Sequence, residues 1–139
     1  MRVRPVADVN ISPRTSASQG LVRTGWVLTG CVGLFLLVDG GARVAGFAPY
    51  IEGMTKLGYS ASLATPLGLA LLASTVLMLI PRTAVLGCIL VTGYLGGATA
   101  TQVRVQDPWF LFPVVLGALS WLGLYLRDAR LRALLPIRT

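Results

Sequence analysis

The stretch TAVLGCILVTGYLGGATATQV, residues 83–103, decides the fold. It carries no charged side chain and is bracketed by Arg82 and Arg104. A helix rises about 1.5 Å per residue, so a run of this length crosses the roughly 30 Å of hydrocarbon in a bilayer. Lipid offers no water to a loose backbone group, so a spanning segment of this kind must be helical. Working outward, a second uncharged run lies between Lys56 and Arg82, and a third extends from Pro108 to Leu126. A fourth, from Thr24 to Val38, is shorter and passes into Asp39 and Arg43. The chain is therefore expected to be all-α, an integral membrane four-helix bundle. Its spans are expected near residues 22–44, 61–80, 83–103 and 109–126.

The rest of the composition agrees. Of the 139 residues 55% are hydrophobic, too many for an ordinary soluble domain, and the length suits one compact unit. A polar leader over residues 1–20, disordered and basic, precedes a single transmembrane domain over 21–139. The leader does not read as a cleavable signal peptide, and the first apolar run reads as a signal-anchor.

A net charge of +7 raises the question of nucleic acid, but its distribution answers it. With four spans, Arg2, Arg4, Arg14, Arg23, Arg82, Arg127, Arg130, Arg132 and Arg138 share one side of the membrane. Arg43, Lys56 and Arg104 lie on the other. This bias puts both termini in the cytoplasm of a multi-pass protein of the cell (inner) membrane, with an added attraction to anionic headgroups. No nucleic-acid partner is expected.

Depth singles out one acid. From Arg23 to Asp39 the helix climbs about 24 Å, which leaves Asp39 inside the outer edge of the hydrocarbon. A carboxylate there should point into the bundle, and Arg43 sits one turn away to pair with it. Gly40 and Gly41 permit a close backbone approach, or a local break, beside the acid. Between the first two spans, Pro49–Leu57 has the marks of a short amphipathic helix on the outer surface. Pro49 suits its start and Gly58 its stop, Tyr50, Met54 and Leu57 share one side, and Glu52 is spaced to pair with Lys56. A plain loop is the alternative.

The third span is rich in small residues. Gly93 and Gly97 form a Gly-x-x-x-Gly pair suited to packing inside the bundle or to a homodimer or membrane-protein partner. Trp26 and Trp109 suit the two membrane interfaces, and Trp121 with Tyr125 marks the inner end of the fourth span. Cys31 and Cys88 lack Cys-x-x-Cys spacing and the chain has no histidine, so two buried structural thiols are expected, with a redox pair as the alternative. No metal or cofactor is expected.

The outer ends of all four helices converge, which gathers Asp39, Arg43, Glu52, Tyr59, Gln102 and Arg104 into a candidate site. Lys56, Gln106 and Asp107 lie nearby. Asp39 or Glu52 can exchange a proton, Arg43 or Arg104 can hold a developing anion, and Tyr59 or Gln102 can orient a carbonyl or hydroxyl. These types suit acid–base work on a lipophilic molecule. The structural alternative is an Asp39–Arg43 pair, joined by Arg104, that pins helices together. There is no nucleophile–base pair, phosphate-binding glycine loop or metal-ligand cluster.

From Thr24 onward the chain resembles the DoxX-like family of small four-helix membrane proteins. The matching words are Thr24-Gly25-Trp26-Val27-Leu28-Thr29-Gly30, Val38-Asp39-Gly40 followed by Arg43, and Leu57-Gly58-Tyr59. They continue with Ile80-Pro81-Arg82-Thr83-Ala84-Val85-Leu86-Gly87, Thr92-Gly93-Tyr94-Leu95-Gly96-Gly97 and Leu124-Tyr125-Leu126-Arg127-Asp128. The resemblance implies a histidine where this chain has Gln102, and a slightly longer link than Asp107–Pro113. It further implies roles in thiosulfate–quinone oxidoreduction, in membrane oxidative-stress complexes, or in receptor assembly.

Three readings follow. The first is an accessory subunit of a membrane redox or stress-related complex. The second is a small membrane enzyme that isomerises, cyclises or opens an epoxide on an isoprenoid, quinone or polyketide. The third is a membrane assembly chaperone that binds client helices through the third span.

Overall fold

A computed structural model describes residues 15–134, with side chains from 19 to 133. Most of the expected leader, and Arg138, lie outside the described residues. The elements are α1 (Thr15–Val44), α2 (Ala48–Lys56), α3 (Ala64–Leu79), α4 (Ala84–Arg104), α5 (Leu111–Arg127) and α6 (Ala129–Leu134). One 3₁₀ turn, Ala61–Leu63, leads into α3, and another, Pro108–Phe110, leads into α5. Four of the segments so formed are long and apolar enough to cross a membrane, as the charge-free runs require. The protein is an all-helical, multi-pass membrane protein. Helix α1 begins at Thr15, earlier than the expected Val22.

The long helices form a square. α1 and α4 occupy opposite corners, each packed against both α3 and α5. The centre holds Leu36, Leu71, Met78, Cys88, Val91 and Leu124. Val27, Leu34, Leu69, Ile89, Val114 and Val115 turn outward, as they must where the surroundings are acyl chains. Because lipid is as apolar as leucine, close packing and not water exclusion holds such helices together. At Gly40 and Gly68 the backbones of α1 and α3 come so near that a Cβ on Gly68 would lie 2.8 Å from the Gly40 carbonyl oxygen.

One expectation is corrected. Cys88 is buried, its Sγ 3.8 Å from the Ser120 carbonyl oxygen, but Cys31 is exposed on the outside of α1. The Trp121 indole N–H donates to Thr92 Oγ1 at 2.8 Å, joining α5 to the middle of α4.

Candidate functional site

The Pro49–Leu57 segment is helical, as its punctuation indicates. Pro49 stands in the first turn of α2, and Gly58 follows the C-cap at a φ of +86°, a left-handed conformation that costs glycine little. Met54, on the inner side of α2, is 3% exposed. This helix lies over one end of the bundle. Beneath it is a cavity of about 260 Å³ between α1, α2, α3 and α4.

Apolar walls come from Met54, Leu57, Leu67 and Ala98. Polar groups come from Arg43 of α1, Tyr59 after α2, and Tyr94, Thr101 and Gln102 of α4. The floor is Gly93 and Gly97, where an added Cβ would meet no atom within 4 Å. The Gly-x-x-x-Gly pair therefore does not seat a helix of this chain. It keeps a space open.

The polar wall is ordered by hydrogen bonds. Thr101 Oγ1 donates to the Gly97 carbonyl at 2.9 Å, so in the same arrangement it accepts from the Tyr59 hydroxyl at 2.7 Å. The Tyr59 oxygen keeps lone pairs to accept from a guest. Gln102 Oε1 is buried and has no hydrogen-bond partner among the described residues. An amide so placed costs free energy until something meets it.

Asp39 and Arg43 form the expected pair. Arg43 Nε donates to Oδ2 and Nη2 to Oδ1, each at 3.1 Å. The side chains are 16% and 22% exposed respectively, so a charge that would be costly in hydrocarbon is matched and mostly covered. Both partners stand on α1, so the pair pins no second helix. Arg43 lines the cavity and is held from behind by Asp39, which is not among the lining residues. The Arg43 guanidinium also lies 5.9 Å from the Tyr50 ring centroid.

The remaining expected site residues go elsewhere. Glu52 is exposed on α2 and does not line the cavity, and among the described residues no ion pair joins it to Lys56. Arg104 does not join the Asp39–Arg43 pair. Its Nη2 donates to the Leu57 carbonyl at 2.8 Å and so ties the end of α4 to the end of α2. Asp107 accepts from the Trp109 amide at 2.9 Å and caps the turn before α5. No group of three or more metal-binding side chains occurs among the described residues.

The sequence reading missed Tyr94 and Thr101. Residues 93, 97 and 101 recur every four positions, and so do 94, 98 and 102. These are adjacent rows on one helical face. Read together, they trace the whole α4 wall.

The arrangement can hold a polar head that turns an acceptor to Arg43 and a hydroxyl proton to the Tyr59 oxygen or Gln102 Oε1, while an apolar body lies against Met54, Leu57 and Leu67. No curated protein and no solved structure matches the chain. The model of the DoxX-like family matches residues 27–123, more than half of the sequence, and covers every residue that lines the cavity. The chain therefore belongs to the DoxX-like family.

Proposed function

We propose that this protein binds a lipophilic molecule by its carbonyl or hydroxyl head in the cavity beneath α2, and that it serves as an accessory subunit of a membrane redox or stress-related complex. The observation that carries the binding reading is the cavity itself, where Arg43, Tyr59 and the unpartnered Gln102 Oε1 converge beside an apolar wall. Quinols, isoprenoid alcohols and hydroxylated polyketides have the required chemistry. The subunit role is supported by a second groove of about 520 Å³ between α4 and α5, where Gly96, Ala100, Gly117 and Ala118 leave room for a helix of another protein. We place the protein in the cell membrane with both termini cytoplasmic, on the arginine bias.

Decylubiquinol titrated into purified protein under reducing conditions tests the binding. It should raise the melting temperature of the wild type, and Gln102→Leu should weaken the effect about fivefold, the worth of about 1 kcal/mol of hydrogen bonding. Gly97→Leu should abolish it by filling the cavity. An undiminished response in Gly97→Leu removes the cavity from the account. For the subunit role, purification in mild detergent should yield a stoichiometric membrane partner, and a lone monodisperse protein would count against it.

A second reading, acid–base catalysis, is favoured by one observation. Arg43 and the Tyr59 oxygen line the same space, so Tyr59 could hold a guest's hydroxyl while an oxyanion developing on the same molecule meets the Arg43 cation. Asp39, with both oxygens engaged by Arg43, is the weaker proton acceptor in this reading. Tyr59→Phe should then suppress turnover of a candidate substrate while leaving decylubiquinol binding within a few fold.

A further inference from the structure

The opposite end of the bundle has a built feature that the outer cavity does not explain. Arg127 closes α5 with its guanidinium over the indole of Trp26, 4.3 Å from the ring centroid. Its Nη2 donates to the Met78 carbonyl of α3 at 2.8 Å. Its Nε and Nη1 are buried and have no hydrogen-bond partner among the described residues. Stacking on an aromatic face attracts the cation but accepts none of these hydrogen bonds in plane. Two charged donors are thus withheld from water and left unmatched.

Arg127 lines a cavity of about 240 Å³ together with Trp26, Ala84, Leu124, Asp128 and Arg130. Asp128 is the one carboxylate there, and it is occupied. Its Oδ1 accepts from the Arg130 and Leu131 amides at 2.9 and 3.4 Å, capping α6, and among the described residues it forms no ion pair with either arginine. Ala84 opens the 21-residue helix α4, whose first turn has neither an acidic residue nor a side-chain cap. The positive end of that helix adds to the same field. Two arginines and a helix N-terminus therefore face a hollow with one carboxylate already committed to the backbone.

We infer that this cavity binds the phosphate of an anionic lipid headgroup. A phosphate oxygen is an acceptor that suits such unmatched charged donors, which stand on different edges of the guanidinium and would each take one oxygen. Ala84 and Leu124 form its buried apolar side, and Trp26, 45% exposed, reaches the bundle surface where a glycerol backbone would lie. A free phosphate or phosphorylated metabolite presents the same oxygens, and the experiment separates the two sources.

Purified, delipidated protein is heated in mixed micelles containing dioleoylphosphatidylglycerol, in others containing dioleoylphosphatidylcholine, and in micelles without lipid but with inorganic phosphate. Phosphatidylglycerol should raise the melting temperature well beyond phosphatidylcholine at equal mole fraction. Arg130→Gln, at an exposed position whose side chain forms no hydrogen bond or ion pair among the described residues, should weaken the apparent affinity about fivefold, the worth of one arginine near an anionic surface. Arg127→Gln should remove the preference altogether. If inorganic phosphate alone stabilises the wild type and not Arg130→Gln, the phosphate site stands and its source is soluble. Equal stabilisation by both lipids and none by phosphate overturns the inference. So does a phosphatidylglycerol preference that survives unchanged in Arg130→Gln, which holds even if Arg127→Gln fails to fold.

Discussion

The guanidinium of Arg43 meets both carboxylate oxygens of Asp39 one helical turn away, at 3.1 Å through Nε and again through Nη2. The pair neutralises itself within α1 and leaves the far side of Arg43 to the cavity. Removing either partner strands the other charge. Asp39→Asn should destabilise the protein by roughly 2 kcal/mol, less than the ~3–5 kcal/mol of a fully buried pair because both side chains keep some exposure. Arg43→Gln should cost a similar amount, and the double variant less than the sum. Unfolding in detergent, read as a double-mutant cycle, measures the coupling. A coupling near zero would mean that the pair contributes nothing in the folded protein.

Helix contacts at glycine should divide sharply. Gly68→Ala forces a methyl against the Gly40 carbonyl and should cost about 1–3 kcal/mol through overpacking. Gly93→Ala and Gly97→Ala meet only open space and should be neutral or slightly stabilising, since alanine is the better helix former by about 1 kcal/mol. Thermal unfolding of the three variants decides the matter. A destabilised Gly97→Ala would contradict an open floor.

Arg104 anchors the lid. Arg104→Gln should remove the bond to the Leu57 carbonyl and change global stability by under about 1 kcal/mol, because the side chain is exposed. Hydrogen exchange across residues 48–58 should nonetheless accelerate, while α3 and α4 stay protected. Unchanged exchange in that segment would show that Arg104 does not hold α2 down.

Binding should be flat with pH in the wild type and become pH-dependent in one variant. The chain has no histidine, the side chain that changes charge between about pH 5 and 8. Gln102→His should therefore make decylubiquinol affinity vary across that range, with weaker binding where a second cation stands beside Arg43, at the acid end. A flat profile in the variant would place position 102 out of reach of the bound head.

The fold was legible because charge is so costly in hydrocarbon that its absence over long runs has one reading. Arg82 and Arg104 bracket α4 almost to the residue. The site was legible in part. Arg43, Tyr59 and Gln102 were found because polar groups near a span's end must turn inward, and all three line the cavity. Glu52 was misplaced because helical spacing alone does not say which side of α2 faces down. At Gly93 and Gly97 packing inside the bundle was the wrong expectation, because the same small-residue spacing serves a tight crossing and an open floor, and only the position of the neighbouring helix separates them. At Gly40, with Gly68 opposite, the crossing is real.

The diagonal placement of α1 and α4 has a mechanical consequence. The charged corner of the cavity belongs to one and the polar wall to the other, and each leans on α3 and α5 instead of on its opposite. A guest that touches both corners acts as a cross-brace in a frame that otherwise has only sides. The loaded protein should then survive harsh detergents in which the empty one shears apart.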